Sequence, residues 1–592
     1  MRSLAVPRRK PVALAARPSN SEGDRSVLRR EHRLLVLVAM AGILLLGGYL
    51  RLVGLDWDEG QHLHPDERFL TMVENALAWP ESLGEYLDSS VNPLNPYNRG
   101  QGSYVYGLLP VTLAKFIGQA TGHTGYWGVY LAGRAMSAIL DLLAVVVVFF
   151  LGRRLYDTRV GLLGALLLAM TVLNIQQSHY FTVDSATTFL VTTALYAAVR
   201  VSQGESLGSV LGLGLAFGLA ISAKISVATF GLIIGLALLV RVFGRGSQGG
   251  NQPDGRVTRT GRMGRWRFTL ALDDDDAPLS VRRLDGVVVR WLRAAVLMIA
   301  ILFIAFWAFR LAQPQAFQGP GLFGLQLNQR WLDDMRYIQR LMSGEIDYPP
   351  SHQWADRAPV TYMLENMVKW GLGLPLGLAV CFAWGLMGWQ LLRHGQLRPL
   401  LPWSWMTLTF LYQSVQFVKT VRYLLPIYPT MALMAAAGLV WLWDRARSSA
   451  RPRATALAGV ICGTVVLGTA LWAFSFASIY TRPVTRIEAS RWIYANIPPG
   501  SALTFAVWDD ALPLNLDGRL ADQTYTMVRT DPYWEDIPEK RTALVEWLDQ
   551  ADYIILSSNR LYGSIPRLPS RYPMTTRYYE ALFSGELGYE ML

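Results

Sequence analysis

Apolar runs of bilayer length, about 20 residues each, recur along the chain between short polar breaks. They cover residues 34–55, 129–151, 161–175, 185–199, 207–222, 225–242, 291–309, 370–392, 400–418, 423–443 and 455–476. Arginines follow alternate runs: Arg153 and Arg154, Arg200, Arg241 and Arg245, Arg393 and Arg398, then Arg445, Arg447, Arg451 and Arg453. Basic residues gather at cytoplasmic ends, so the pattern predicts about eleven crossings, with the N-terminus inside and the C-terminus outside. Residues 104–117 are also apolar, but short and broken by Pro110. A crossing there would reverse the sign at Arg153, so this stretch is expected to lie as a helix in the interface.

The predicted fold class is mainly α: a polytopic membrane helical bundle with a small external α/β domain. Residues 1–33 read as a disordered basic cytoplasmic segment, and residues 34–478 as the membrane domain. The latter has external loops at 56–125 and 310–369 and a cytoplasmic loop at 246–290. Residues 479–592 change character. An amphipathic helix is expected over 484–496, ended by Pro498, Pro499 and Gly500, with strands at 502–508 and 553–557 and a helix at 542–550.

Composition agrees with a membrane protein. Of 592 residues, 52% are hydrophobic and 17% charged, where a soluble protein carries nearer a quarter charged. The net charge of +11 would suit nucleic acid, but the basic residues sit at span ends, so no nucleic-acid partner is implied. Cys381 and Cys462 both fall inside apolar runs, which suggests neither a disulfide framework nor a zinc site. The basic N-terminus and the long apolar run after it lack a small-residue cleavage signal, so the first run reads as a retained span with Arg51 snorkelling at its outer end.

Charges at the predicted outer boundary are the candidate chemistry. The run His64, Pro65, Asp66, Glu67, Arg68 follows the first span. Pro65 suits a first helical turn, so a helix over 66–78 is expected, with Phe69, Leu70, Val73 and Leu77 on one face. Asp66 and Glu67 would be stabilised at its start; the plain alternative is a surface-helix cap. Asp184 follows the polar break at 176–183 and is either a functional carboxylate or the cap of the next span. Lys224 and Arg422 also lie at outer ends, where snorkelling is the alternative, less apt for Arg422 because it opposes the charge trend. Carboxylates and two cations around one external site suit chemistry on a phosphate-bearing substrate. His64, His179 and Tyr423 are further candidates for holding substrate. His62, His64, Asp66, Glu67 and His179 could instead form a divalent-metal site, although their spacing is not diagnostic. The acidic run 273–276 lies in the predicted cytoplasmic loop and reads as a solvated charge run.

The segment from His64 to Leu77 resembles the acidic first external loop of the GT-C glycosyltransferases, in particular the protein O-mannosyltransferase and aminoarabinose transferase branch. Gly133, Arg134, Ala135, Met136 and Ser137, leading to Arg153 and Arg154, resemble the second span of that branch. Asp184 matches its second acidic position, and Lys419 to Pro429 resembles its Arg-Tyr-Leu-Leu-Pro segment. The likeness covers about residues 34–443. It implies an inverting transfer of one sugar from a polyprenyl monophosphate to an acceptor hydroxyl outside the cytoplasm, at the plasma membrane. Asp66 would be the general base, Glu67 and Asp184 would orient acceptor and base, and Lys224 and Arg422 would bind the lipid phosphate. The acceptor would be a glycan, lipid or protein, and the loop 310–369 could cover the pocket. The tail is similar to those of bacterial members and lacks the repeated extra domain of eukaryotic protein mannosyltransferases. The main rival reading is a transporter or flippase for a lipid-linked sugar; it fits less well, because no internal repeat is visible and the candidate charges lie at outer ends. A membrane receptor or scaffold would leave the acidic loop unexplained.

Overall fold

The computed structural model describes residues 21–204, 206–243, 256–263, 266–273 and 287–592. The apolar runs are helical. Seven described helices are long and apolar enough to cross a membrane, or eight if the bent pair Thr158–Ala169 and Val172–Ser178 is one span. The chain is a mainly α, multi-pass membrane protein. Three expected crossings fall short of that test. Leu207–Ala223 has 17 residues and Leu400–Val415 has 16, while Asp184–Gln203 is diluted by Ser and Thr.

Small residues let the helices approach closely, as bilayer packing demands. A Cβ on Gly152 would sit 2.8 Å from the Gly161 Cα, and one on Gly218 2.2 Å from the Ala305 carbonyl. The helix Tyr428–Ser448 runs through the centre and is buried from Tyr428 to Leu439.

The bent pair turns by 57° at Met170 and Thr171. At that break the Leu168 carbonyl keeps the Thr171 N–H at 3.1 Å, and Arg51 donates to the Ala169 carbonyl at 2.7 Å and to that of Leu168 at 3.2 Å. Arg51 therefore does not snorkel. It is fully buried, and its Nε donates to Asp141 at 2.7 Å; Asn174 donates to the other Asp141 oxygen at 2.6 Å. An ion pair inside the bundle satisfies both charges better than an exposed arginine over an apolar surface would.

The helix expected over 66–78 is Pro65–Ala76, and the one expected over 104–117 is Leu108–Thr121. Within the loop expected at 246–290, strands Arg256–Met263 and Trp266–Asp273 pair antiparallel. Of the acidic run, residues 274–276 lie outside the described residues.

The tail holds helices Thr485–Asn496, Pro538–Gln550 and Pro573–Ser584 and a parallel strand pair, Ala502–Ala506 with Thr526–Thr530. The strand expected at 553–557 is not formed. Tyr553 makes one isolated bridge to Leu503, and the second strand comes from Thr526–Thr530 instead, where Met527 and Val528 supply the pattern.

Candidate active site

Four separate segments converge on one acidic and basic cluster. The first is the start of Pro65–Ala76. Pro65 occupies the first turn, and the His64 side chain is the cap, accepting from the Glu67 N–H at 3.3 Å. Because His64 caps, Asp66 does not, and its carboxylate is turned to Arg422 at 2.5 Å. The second is Asp184, the first residue of Asp184–Gln203. Val183 holds the cap position with no side-chain bond, so Asp184 is not the cap either; it accepts from Lys224 at 2.6 Å. The third and fourth are Lys224, which ends Leu207–Ala223, and the turn Val421–Ile427, which carries Arg422.

These two pairs form a single group. Lys224 acts electrostatically on Asp66, and Asp184 on Arg422. Tyr423 lies between the cations, its ring 4.4 Å from the Lys224 Nζ and 5.6 Å from the Arg422 guanidinium carbon. Tyr106 approaches the Asp66 carboxylate. Burial alone would raise the Asp66 carboxyl, but Arg422, His64 and Lys224 outweigh it and hold the group below its ordinary range. A small recess of about 10 Å³ opens beside Lys224 and Tyr423, walled by Trp405, Thr409 and Tyr412.

Behind this group lies a second, wholly buried one. Arg134 donates to Glu67 through Nε at 3.0 Å and Nη2 at 2.5 Å, and to Asp58 at 2.9 Å. The Phe181 N–H donates to the same Glu67 carboxylate at 2.7 Å. Gly133 permits this contact, because a Cβ there would sit 2.2 Å from the Phe181 ring. Burial raises the Glu67 carboxyl, while the bonds from Arg134 and Phe181 oppose that rise. Glu67 is fully enclosed and holds the acidic loop against the span Val129–Leu155.

The histidines divide. His64 stacks on Tyr180 at 4.3 Å, and burial pushes its imidazole down to about 4, so it is neutral and its Nδ1 is free to accept as a cap. His62 is buried against Tyr126 and Tyr130. His179 lies flat on Tyr480 at 3.6 Å, with its ring nitrogens 2.8 and 2.9 Å from the Ile175 and Val53 carbonyls, and it does not face the Asp66 group. The set His62, His64, Asp66, Glu67 and His179 is thereby dispersed: among the described residues no three such side chains are grouped to hold a metal ion. The anchors Arg134, Asp58 and Tyr106 were not singled out in the sequence as site residues. The usable signal was one arginine inside an apolar run, where a charge needs a partner.

The loop expected at 310–369 reaches over this end of the bundle. Asp334 accepts from the Tyr97 hydroxyl at 2.6 Å, the Ser103 hydroxyl at 2.8 Å and the Tyr104 N–H at 2.8 Å. Tyr348 and Gln353 stand beside Pro65 and Arg68.

Residues 122–247 match the family described as dolichyl-phosphate-mannose-protein mannosyltransferase. That stretch contains Arg134, Asp184 and Lys224. No curated protein matches the sequence. Among solved structures, the chain is similar to the oligosaccharyltransferase of Archaeoglobus fulgidus tethered with an acceptor peptide, at 14% identity and a TM-score of 0.47, over 80% of this chain and 62% of that one. It is similar to ArnT from Cupriavidus metallidurans bound to undecaprenyl phosphate, at 14% identity and a TM-score of 0.40, over 86% of this chain and 87% of that one. It is also similar to the S. cerevisiae protein O-mannosyltransferase Pmt1-Pmt2 complex bound to the sugar donor, at 16% identity and a TM-score of 0.31, over 48% and 34%. Over residues 122–247 the family match agrees with the resemblance to the protein O-mannosyltransferases.

Proposed function

We propose that the chain is a membrane glycosyltransferase that moves a single sugar from a polyprenyl-phosphate carrier to an acceptor hydroxyl, on the extracytoplasmic face of the plasma membrane and with inversion. The observation that carries this reading is the group Asp66, Arg422, Asp184 and Lys224, in which two carboxylates and two cations from four separate segments meet. Asp66 takes the proton of the acceptor hydroxyl. The oxygen attacks the anomeric carbon, and the carbon–oxygen bond to the phosphate breaks. A single displacement from the opposite face inverts that carbon. The departing polyprenyl phosphate keeps the electron pair, and Lys224 and Arg422 hold its charge. Tyr423 positions the two cations. Asp184 orients Lys224, and Glu67 acts from behind, fixing the acidic loop through Arg134.

The pairing also orders the steps. While Arg422 holds Asp66, the carboxylate is a weak base. A phosphate entering beside Arg422 and Lys224 competes for both, because charge-assisted bonds to phosphate are strong. Asp66 is then released and becomes more basic. Donor binding therefore precedes proton removal.

The test is a transfer assay with radiolabelled polyprenyl-phosphate sugar and purified protein in lipid. Label should move to a membrane-glycan acceptor, and Lys224→Ala and Arg422→Ala should each slow transfer by about 10²-fold, as for other charge stabilisers. A transporter would return the donor chemically unchanged. Transfer by both variants at the parent's rate would remove the cations from the reading.

A further inference from the structure

A cleft of about 400 Å³ lies next to Asp66, between the start of Pro65–Ala76, the segment around Tyr348 and the tail. Pro65 and Arg68 form part of its wall, and Asp66 is close enough to act on the Tyr348 phenol. The tail contributes Trp508, Asp509, Asp510 and Arg560. We propose that this cleft is the acceptor subsite and that it takes a carbohydrate, with a sugar ring on the Trp508 and Tyr348 faces and its hydroxyls on Asp509 and Arg560. The proposal rests on the transferase reading and adds the chemical class of the acceptor.

Three observations favour a sugar. The first is the aromatic pair. Trp508 remains 39% exposed at the rim, and Tyr348 meets it edge to face at 5.3 Å and 78°. The face of an aromatic ring suits the C–H face of a pyranose, and large aromatics give contact area at low entropic cost.

The second is the balance of charge. Asp510 is already matched by Arg68 at 2.7 Å and Arg486 at 2.9 Å. Arg560 donates to the Trp508 carbonyl at 2.6 Å. The lining sets three arginines, Arg68, Arg486 and Arg560, against two carboxylates, Asp509 and Asp510, and so offers both donors and acceptors to a polyhydroxylated ring.

The third is how Trp508 is held. Its φ is +78°, a conformation that side chains rarely adopt. The backbone is fixed there by Arg560 on its carbonyl and by the Val507 N–H donating to Thr530 at 2.9 Å. Such strain persists where the surroundings over-determine it, and it gathers at binding sites. Asp509, the next residue, is set by the Ser558 hydroxyl at 2.8 Å. The loop thus presents an aromatic face and a carboxylate side by side. No extended backbone edge is offered here, as strand-addition to a peptide would require.

The experiment measures binding without chemistry. Saturation-transfer NMR and calorimetry on the full chain in nanodiscs would use mannotetraose, maltotetraose and chitotetraose, with an unmodified Ala-Ser-Thr-Ala-Ser peptide as the rival probe. At least one tetrasaccharide should bind more tightly than about 10 mM, and Trp508→Ala should weaken it by about tenfold, a loss of one aromatic contact. Trp508→Tyr should restore most of it, and Trp508→Ala should still bind the polyprenyl-phosphate donor, which shows that the variant is folded. Asp66→Asn should bind the tetrasaccharide as the parent does. Binding of the peptide but of no tetrasaccharide overturns the proposal, as does tetrasaccharide binding that Trp508→Ala leaves unchanged. An Asp66→Asn protein that transfers sugar normally while the cleft binds glycan would instead sink the catalytic reading and leave this one standing.

Discussion

At the scale of residues, Asp66 and Glu67 are neighbours with opposite surroundings. Asp66 is partly open and faces Arg422; Glu67 is enclosed by Arg134, Asp58 and the Phe181 amide. Their variants should therefore fail differently. Asp66→Asn removes the proposed base but no helix cap, because His64 is the cap. Turnover should drop by about 10²-fold or more, the usual share of a general base. Donor affinity should hold or rise, since Arg422 loses its competing partner. Transfer and donor-binding assays on one preparation would show this, and normal turnover would remove Asp66 as the base. Glu67→Gln leaves Arg134 with one carboxylate fewer in a buried site, so up to about 3 kcal/mol of stability should go, read as a lower melting temperature. The four charges of the Asp66 group were legible in the sequence, because charges at span ends are costly, and Arg422 also opposes the outer-boundary trend. Arg134 and Asp58 were not, because a buried pair shows itself only when both partners are placed.

At the scale of elements, the helix start at His64 carries its own pH dependence. Burial holds the imidazole at about 4 in the fold, against an ordinary 6.5. The unfolded chain therefore binds the extra proton between those values. The stabilisation is complete above pH 6.5 and is lost as pH falls towards 4. His64→Asn, which keeps a capping side chain, should flatten that slope in melting curves taken from pH 7 to 4.5. A slope equal to that of the parent would assign it to other groups.

The junction that sets Lys224 is the other element of consequence. Gly107, just before Leu108–Thr121, lies against the backbone end of Leu207–Ala223. A Cβ there would come 2.2 Å from the Ser222 carbonyl and 2.4 Å from the Ala223 carbonyl. Gly107→Ala must push these helices apart beside Lys224, so donor affinity should fall by about tenfold, in keeping with roughly 1–3 kcal/mol for overpacking. Gly208→Ala, on the facing helix Leu207–Ala223 with nothing within 4 Å, is the control and should be neutral. The helices themselves were readable from apolar periodicity. The break at Met170 and the strand Thr526–Thr530 were not, because one is fixed by Arg51 from another helix and the other by pairing with Ala502–Ala506.

At the scale of the whole molecule, sidedness follows from who touches whom. The tail is tied to the loop before Pro65–Ala76 and to the segment after Gln329–Ser343. Arg491 meets Glu59 at 2.8 Å, Arg68 meets Asp510 at 2.7 Å, Arg571 meets Asp347 at 2.5 Å, and Arg567 donates to the Gln353 carbonyl at 2.9 Å. These three parts and the Asp66 group therefore share one side. From Lys224, at that end, the candidate span Ile225–Phe243 leads away over 19 residues, about 30 Å at helical rise, which is enough to reach the opposite face. The chain returns along Val287–Ala312, whose later residues approach the loop again through the Leu311 carbonyl and the Tyr86 hydroxyl. Phe243 and Val287, the facing ends of these two helices, then lie at the far end of the bundle from the tail. By the positive-inside trend, the arginines at 153, 154, 200, 241, 393 and 445 predict that this far face is cytoplasmic. An accessibility tag inserted at residue 250 should accordingly be labelled only from the cytoplasm, and a tag at the C-terminus only from outside, in intact cells and inverted vesicles respectively reversed. Labelling of both tags from one side would break the crossing parity between Lys224 and the tail, and with it the assignment of the Asp66 group to the outer face.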